Sequence, residues 1–361
     1  MPLSGNKGEW SEIYTLFKLL ADGRLYAGDA NLNRTDIYYP VIDIIRQEAK
    51  RYDYLPDSGR QIVVINEEGD VLMCKPMADF AREADRLLGH IKQHSDSAFS
   101  LPDTEKFMRA VGCSSIKARS RDKADIHIIL HDHRTGFTPQ QGFSIKSQLG
   151  EPSTLLNASN ATNFLFEIQG APLSDLQMAE INRINSQQAR MRRLFESGHT
   201  IVFREVEHPV FRNNLLFIDC GLPALLGACL VQKWRGSHPS KLTDVAAQVA
   251  GENPLAYQGD NVLTFYEHKL KIFLLDIALG MMPAHQWNGC YEANGGYIVV
   301  KEDGDIVCYH FYDRNEIESY LFVNTHLDTP SRSRHRWGSL FRHPVDGAPC
   351  LRLNLQIRFI R

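Results

Sequence analysis

The sequence predicts a mixed α/β (α+β) protein, and three observations lead there. Residues 123–150 (KADIHIILHDHRTGFTPQQGFSIKSQLG) hold two short alternating runs around a polar segment containing Gly and Pro, the pattern of a β-hairpin. Residues 10–20 (WSEIYTLFKLL) space Trp10, Ile13, Tyr14, Phe17 and Leu20 as one buried helical stripe. Residues 210–282 read as mostly helical, and strands return toward the C-terminus. A chain of 361 residues, 43% hydrophobic and 23% charged, has the balance of a soluble globular protein with one large domain or two ordinary ones. A soft boundary falls within 198–209, dividing 1–200 from 201–361.

Taken in order, the first helix stops at Asp22-Gly23. Residues 38–52 look like another amphipathic segment, and 60–73 (RQIVVINEEGDVLM) form a strand, a turn and a strand. Residues 77–94 make a helix, 95–103 are rich in turn formers, and 104–111 make a short helix. Lys117, Arg119, Arg121 and Lys123 fall on alternate positions, either solvated edge charges or phosphate contacts. Beyond the hairpin, 153–161 are polar, 162–169 form a strand, and 175–197 form one helix that carries Arg183, Arg190, Arg192 and Arg193. That basic helix is either a solvated face or a track along a DNA backbone. The helical region includes 215–232 and 264–279, with a loop at 251–260. Residues 295–311 form two strands about Gly304, and 351–360 alternate strictly, Leu351, Leu353, Leu355, Ile357 and Phe359 against Arg352, Asn354, Gln356 and Arg358.

Composition excludes several classes. The N-terminus lacks an apolar leader core and no run approaches eighteen uncharged apolar residues, which points to a cytoplasmic protein without a membrane partner. Seven cysteines, an odd number with no CxxC pair, argue against a zinc site and a disulfide framework and suit small buried apolar residues. A net charge of −3 does not advertise nucleic acid, but residues 330–361 carry seven arginines against the single acid Asp346.

The hairpin carries the chemistry. Alternation puts Asp125, His127, Ile129 and His131 on one face of the first run, and Ser144, Lys146 and Gln148 on one face of the second. A register with Asp125 beside Ser144 and Lys146 gathers a carboxylate and an ammonium at one sheet edge. A divalent cation and a phosphate fit such a corner, as a metal-dependent nuclease requires. The plain alternative is an edge hairpin with a stray Asp and Lys. Glu9 and Glu12, three apart on the first helix, are ordinary dipole partners or, functionally, the source of a second metal-binding acid. A zinc-dependent HNH-type reading of His131-Asp132-His133 fails because adjacent strand residues diverge.

Three stretches together resemble the HpaII-like type II restriction endonucleases: GNKGEWSEIYTLFKLLADGRLYA, KADIHIIL with GFSIKSQLG, and TPSRSRHRWGSLFR with LRLNLQIRFI. The hairpin alone is the weaker mark of the wider PD-(D/E)XK nuclease superfamily. The resemblance implies a PD-(D/E)XK core at 1–200, a mixed sheet flanked by helices, with Mg²⁺ at the hairpin edge. The additional helical region and C-terminal β and basic DNA-recognition region then fall in 201–361. Asp125 matches the metal-binding aspartate and Lys146 the lysine, while Ser144 stands where the pattern has an acid, so Glu9 or Glu12 is expected to compensate. The implied reaction is hydrolysis of double-stranded DNA by in-line attack of water at a short site, CCGG by the family name.

For DNA contact the expectation is Arg332, Ser333, Arg334, His335 and Arg336, with Asn354, Gln356 and Arg358 on the polar face of the last strand. The alternative there is a basic surface loop beside a solvated sheet face. A palindromic target suits a homodimer, and a cognate DNA methyltransferase is a functional rather than a bound partner. Competing readings are a modification-dependent or repair endonuclease and a DNA-binding protein whose nuclease site has decayed at position 144.

Overall fold

The computed structural model describes residues 2–116, 124–235, 240–291 and 294–360, so Lys117, Arg119, Arg121 and Lys123 lie outside the described residues. The first helix, α1 (Lys7–Asp22), starts at a capping box. Asn6 Oδ1 accepts from Glu9 N, Glu9 Oε2 accepts from Asn6 N, and Gly23 ends the helix at φ 64° with its N–H on Leu19 O. Strands β1 (Arg24–Gly28), β2 (Arg34–Gln47), β3 (Arg51–Asp57), β4 (Ile62–Glu67) and β5 (Asp70–Pro76) follow, then α2 (Met77–Gln93) and α3 (Pro102–Ala110). The hairpin is β6 (Ile126–Leu130) and β7 (Gln140–Ser147).

Next come β8 (Thr154–Leu156), β9 (Asn163–Gln169), α4 (Asp175–Arg183), α5 (Gln187–Glu196) and β10 (Thr200–Val206). Helices α6 (Pro209–Ile218), α7 (Leu222–Arg235), α8 (Leu242–Glu252) and α9 (Val262–Leu279) precede β11 (Gly296–Val300), β12 (Ile306–His310) and α10 (Arg314–Val323). The chain ends with β13 (Thr325–Leu327), α11 (Arg332–His335), β14 (Leu340–Arg342), β15 (Pro349–Asn354) and β16 (Ile357–Phe359).

Two compact units result, Met1–Ser153 with Tyr291–Tyr320, and Thr154–Cys290 with Leu321–Ile360. The boundary expected at 198–209 falls inside the second unit, because β11 and β12 return to pair in the first sheet. In the first unit a nine-stranded mixed sheet runs β1-β12-β11-β7-β6-β2-β3-β4-β5, and β1 also pairs with the first half of β2. Its core joins Trp10, Ile13, Leu16 and Phe17 of α1 and Phe80 and Leu87 of α2 to Ile126, Ile128, Phe143, Ile145, Ile298 and Val300 of the strands. The second unit holds a four-stranded antiparallel sheet, β10-β9-β15-β14, a three-stranded sheet, β13-β16-β8, and helices α4 to α9.

Several expectations change. Residues 38–52 are strand, turn and strand, since β2 is buried between β6 and β3 and tertiary pairing overrides a weak local pattern. The single helix expected over 175–197 is two, broken after Arg183 where Ser186 caps α5. Residues 215–232 likewise split into α6 and α7. The alternating run 351–360 divides between two sheets as β15 and β16, although Leu351, Leu353, Leu355, Ile357 and Phe359 are buried as expected. Of the cysteines, Cys113, Cys229, Cys308 and Cys350 are buried, whereas Cys74, Cys220 and Cys290 are exposed. Among the described residues no single helix is long and apolar enough to cross a membrane.

Candidate active site

The hairpin register fixes the site. Ile126 pairs with Phe143, and Asp125, one residue before β6, donates its N–H to Phe143 O at 2.8 Å. Gly142 makes this crossing feasible, since a Cβ there would stand 2.6 Å from the Ala124 Cβ. Phe143 and Ile145 turn into the core, so Ser144 and Lys146 project from the opposite face. Asp125 Oδ2 accepts two hydrogen bonds, from Ile145 N at 2.6 Å and from Ser144 Oγ at 3.1 Å. Those bonds fix the orientation of the carboxylate.

β11 lies parallel to β7 with Tyr297 opposite Ser144 and Val299 opposite Lys146. The Lys146 ammonium sits 5.2 Å from the centroid of the Tyr297 ring. Burial pushes the Tyr297 hydroxyl up, and the charges of Tyr320 and Asp125 push it further. It therefore stays a neutral phenol that offers Lys146 a π face rather than a base. Sequence reasoning read residues 297–300 as a strand but missed Tyr297, because nothing local names the strand it lies beside.

The N-terminal turns of α1 meet the same end of the hairpin. Ser11 Oγ donates to Lys7 O at 2.7 Å and lies in hydrogen-bond contact with Ser147 Oγ at 2.8 Å, one residue beyond Lys146. Glu9 is committed to the capping box through Oε2, while half-buried Glu12 follows Ser11 directly. The helix packs on the core face of the sheet and Asp125 and Lys146 leave the other, so α1 and the corner share only the sheet end. Gln148 closes β7 by donating its N–H to Val300 O at 2.9 Å. Among the described residues no group of three His, Cys, Asp or Glu side chains stands together as a ready-made metal cage. The donors at the corner, a carboxylate and a hydroxyl, are all oxygen, which suits a hard cation that keeps several water ligands.

The hairpin tip has a structural use. Asp132 accepts from Arg134 N at 2.9 Å and Thr135 Oγ1 at 3.1 Å, and Arg134 grips Asp313 at 2.9 and 3.0 Å. The rings of His131 and His133 meet edge to face at 4.7 Å. His310, behind this tip, donates from Nε2 to Gln141 Oε1 and accepts Tyr312 N at Nδ1, and burial holds its pKa down at about 4.

In the second unit the arginine-rich turn and the last strands part company. Arg332, Ser333, Arg334 and His335 form the single turn of α11, Arg336 follows in the left-handed region at φ 52°, and Ser333, Arg334 and Arg336 are exposed. The Asn354 side chain is 2% exposed and donates to Ser159 O at 2.7 Å and Asn163 Oδ1 at 2.8 Å. It is a buried brace, a correction to its placement on a solvent-facing strand, because β15 lies between β9 and β14. Arg358 is paired with Asp328 at 2.8 Å, and Gln356 lies half-buried with its carbonyl accepting Asp328 N at 2.9 Å. Arg190, expected on a solvated helix face, is 7% exposed and donates to Ile184 O at 2.6 Å and also to Asn182 O and Gly338 O.

No solved structure matches the chain. A family model for the HpaII restriction endonuclease matches residues 6–359. The type II restriction enzyme HpaII of Haemophilus parainfluenzae is 44% identical over 360 residues, covering 99% of each chain. A match of that extent, spanning the hairpin corner and the arginine-rich turn alike, means that the chain belongs to the HpaII restriction endonuclease family.

Proposed function

We propose that this type II restriction endonuclease uses Mg²⁺ and the corner formed by Asp125, Ser144 and Lys146 to hydrolyse double-stranded DNA at CCGG, on a PD-(D/E)XK core. The observation that carries the reading is the Asp125 carboxylate, fixed through Oδ2 by Ile145 N and Ser144 Oγ on the strand that presents Lys146. A carboxylate held in one orientation is a prepared hard ligand.

Asp125 would hold the cation, with Glu12, beside Ser11 at the sheet end that α1 shares with the corner, as the second carboxylate. A divalent cation bound there neutralises phosphate charge and acidifies water. Lys146 orients the attacking water and offsets charge developing on the phosphate, its ammonium steadied by the Tyr297 ring. Ser144 takes the place of the usual acid by positioning Asp125. DNA contact comes from Arg332, Ser333, Arg334, His335 and Arg336, with Gln356 and Arg358 beside them in sequence order. A homodimer matches the two-fold symmetry of the target, and in the cytoplasm a cognate methyltransferase protects the host's own sites.

The test is incubation of the purified protein with unmethylated phage DNA and Mg²⁺, followed by sequencing of fragment ends. Discrete fragments ending in CCGG are expected. A different shared end sequence corrects the target, and absence of cleavage on both unmethylated and methylated DNA overturns the reading.

A further inference from the structure

Of the seven arginines in residues 330–361, Arg342, Arg352 and Arg358 are neutralised within the second unit, by Asp175, Glu207 and Asp328. Among the described residues no ion pair engages Arg332, Arg334 or Arg336. Two of these unpaired arginines line a cleft of about 620 Å³ together with Arg190, Ser333, Trp337 and Ser339, and no carboxylate is among those side chains. The floor is rigid. Buried Arg190 spends its guanidinium on the carbonyls of Asn182, Ile184 and Gly338, tying the α4–α5 turn to the segment that follows α11.

Positive charge here is concentrated without compensation. Burial holds the Arg190 guanidinium below its usual range, and the neighbouring Arg332 lowers it further. A buried donor beside the cleft, the Trp337 indole N–H, also lacks an acceptor among the described residues. Convergent guanidiniums, two hydroxyls and the unfilled indole N–H form an acceptor-seeking set, and an oxyanion supplies acceptors alone.

We infer that this cleft is a phosphate site that clamps one backbone phosphodiester of the DNA, so that Arg332 and Arg336 position the duplex and do not read its bases. The inference rests on the proposed DNA-cleaving function and assigns these two arginines a sequence-independent share of it. Arg190 is a positioning residue, holding Gly338 and Ser339 in the cleft wall. Arg334 lies on the same turn but does not line the cleft.

The experiment measures dissociation constants of the full chain for a CCGG duplex and a scrambled duplex in Ca²⁺ across a salt series. The combined Arg332→Ala and Arg336→Ala variant should weaken both duplexes by one common factor, with the slope of log affinity against log salt reduced by about one to two. Ser339→Asp keeps both arginines and places a carboxylate at an exposed position of the cleft, so it should give the same uniform loss. Loss confined to the CCGG duplex would overturn the inference in favour of base reading, and an unchanged salt slope in both variants would overturn it outright.

Inorganic phosphate separates the two sources of the same chemistry. If it raises the melting temperature of the wild type and not of the variants, while duplex binding is equal in all three, the cleft takes free phosphate and the DNA clamp is overturned. If the wild type binds neither duplex, the DNA-cleaving reading itself fails and the clamp with it.

Discussion

Ser144 donates its hydroxyl to Asp125 at 3.1 Å, so the residue two before Lys146 is bonded to the carboxylate of the hairpin corner. Ser144→Ala removes one hydrogen bond to a charged group, a loss of about 1.5–3 kcal/mol if the bond is fully felt in the reaction. Cleavage should fall roughly ten- to a hundredfold and persist, because Ile145 N still holds Oδ2 at 2.6 Å. Complete loss of single-turnover cleavage would give Ser144 a direct role at the cation.

Asp125→Ala and Lys146→Ala should each abolish cleavage while duplex binding in Ca²⁺ stays measurable. Each side chain lies on the sheet face away from the core, so neither change opens a core cavity. Cleavage by either variant at the wild-type rate would remove the corner from the mechanism. Tyr297→Phe keeps the ring beside Lys146 and should retain activity, whereas Tyr297→Leu should lose part of it.

Glu9 and Glu12 should separate cleanly. Glu9→Gln keeps a side chain able to close the capping box with Asn6, and Glu9→Ala should cost about 1 kcal/mol of stability by analogy with other caps, with cleavage retained below the melting transition. Glu12→Gln should instead shift the Mg²⁺ dependence of cleavage to higher concentration with little change in melting temperature. Equal, mild effects from both would leave the second carboxylate unassigned.

Asp43 gives a pH-dependent prediction. Burial, then the neighbouring Asp53, raises its carboxyl to about 6, and its Oδ1 has no hydrogen-bond partner among the described residues. Because the folded pKa lies above the ordinary 3.8, the folded chain binds the proton more tightly than the unfolded chain. The stability from this group is full below pH 3.8 and is lost as pH rises through about 6. Asp43→Asn should therefore stabilise the protein at pH 8, by about 1–3 kcal/mol, and do little near pH 3. Thermal melts at the two pH values decide it, and equal shifts at both would remove Asp43 from the titration.

Asn354→Ala should act on folding. The amide bridges Ser159, Thr162 and Asn163, and its removal leaves buried groups unpaired at about 1–3 kcal/mol. A lower melting temperature with unchanged preference between DNA sites is expected, and a relaxed preference at full stability would return Asn354 to the DNA surface.

Short-range order in the sequence determined a good part of this. The period of the first helix, its stop at Gly23, the hairpin, and the placement of Asp125, Ser144 and Lys146 on one side of it all follow from periodicities of a few residues. Family resemblance added the reaction, which no periodicity carries.

Tertiary structure alone decided the rest, because its causes are distant in the chain. Strand β11 returns from about 150 residues away to set Tyr297 beside Lys146. Residues 38–52 became strands only because β6 and β3 flank them. Among the C-terminal arginines, charge counting could not tell Arg352 and Arg358, which face Glu207 and Asp328, from Arg332 and Arg336, which no acid among the described residues neutralises. Composition records how many charges a segment has, whereas the acid that cancels each one is set by which strand the fold brings alongside.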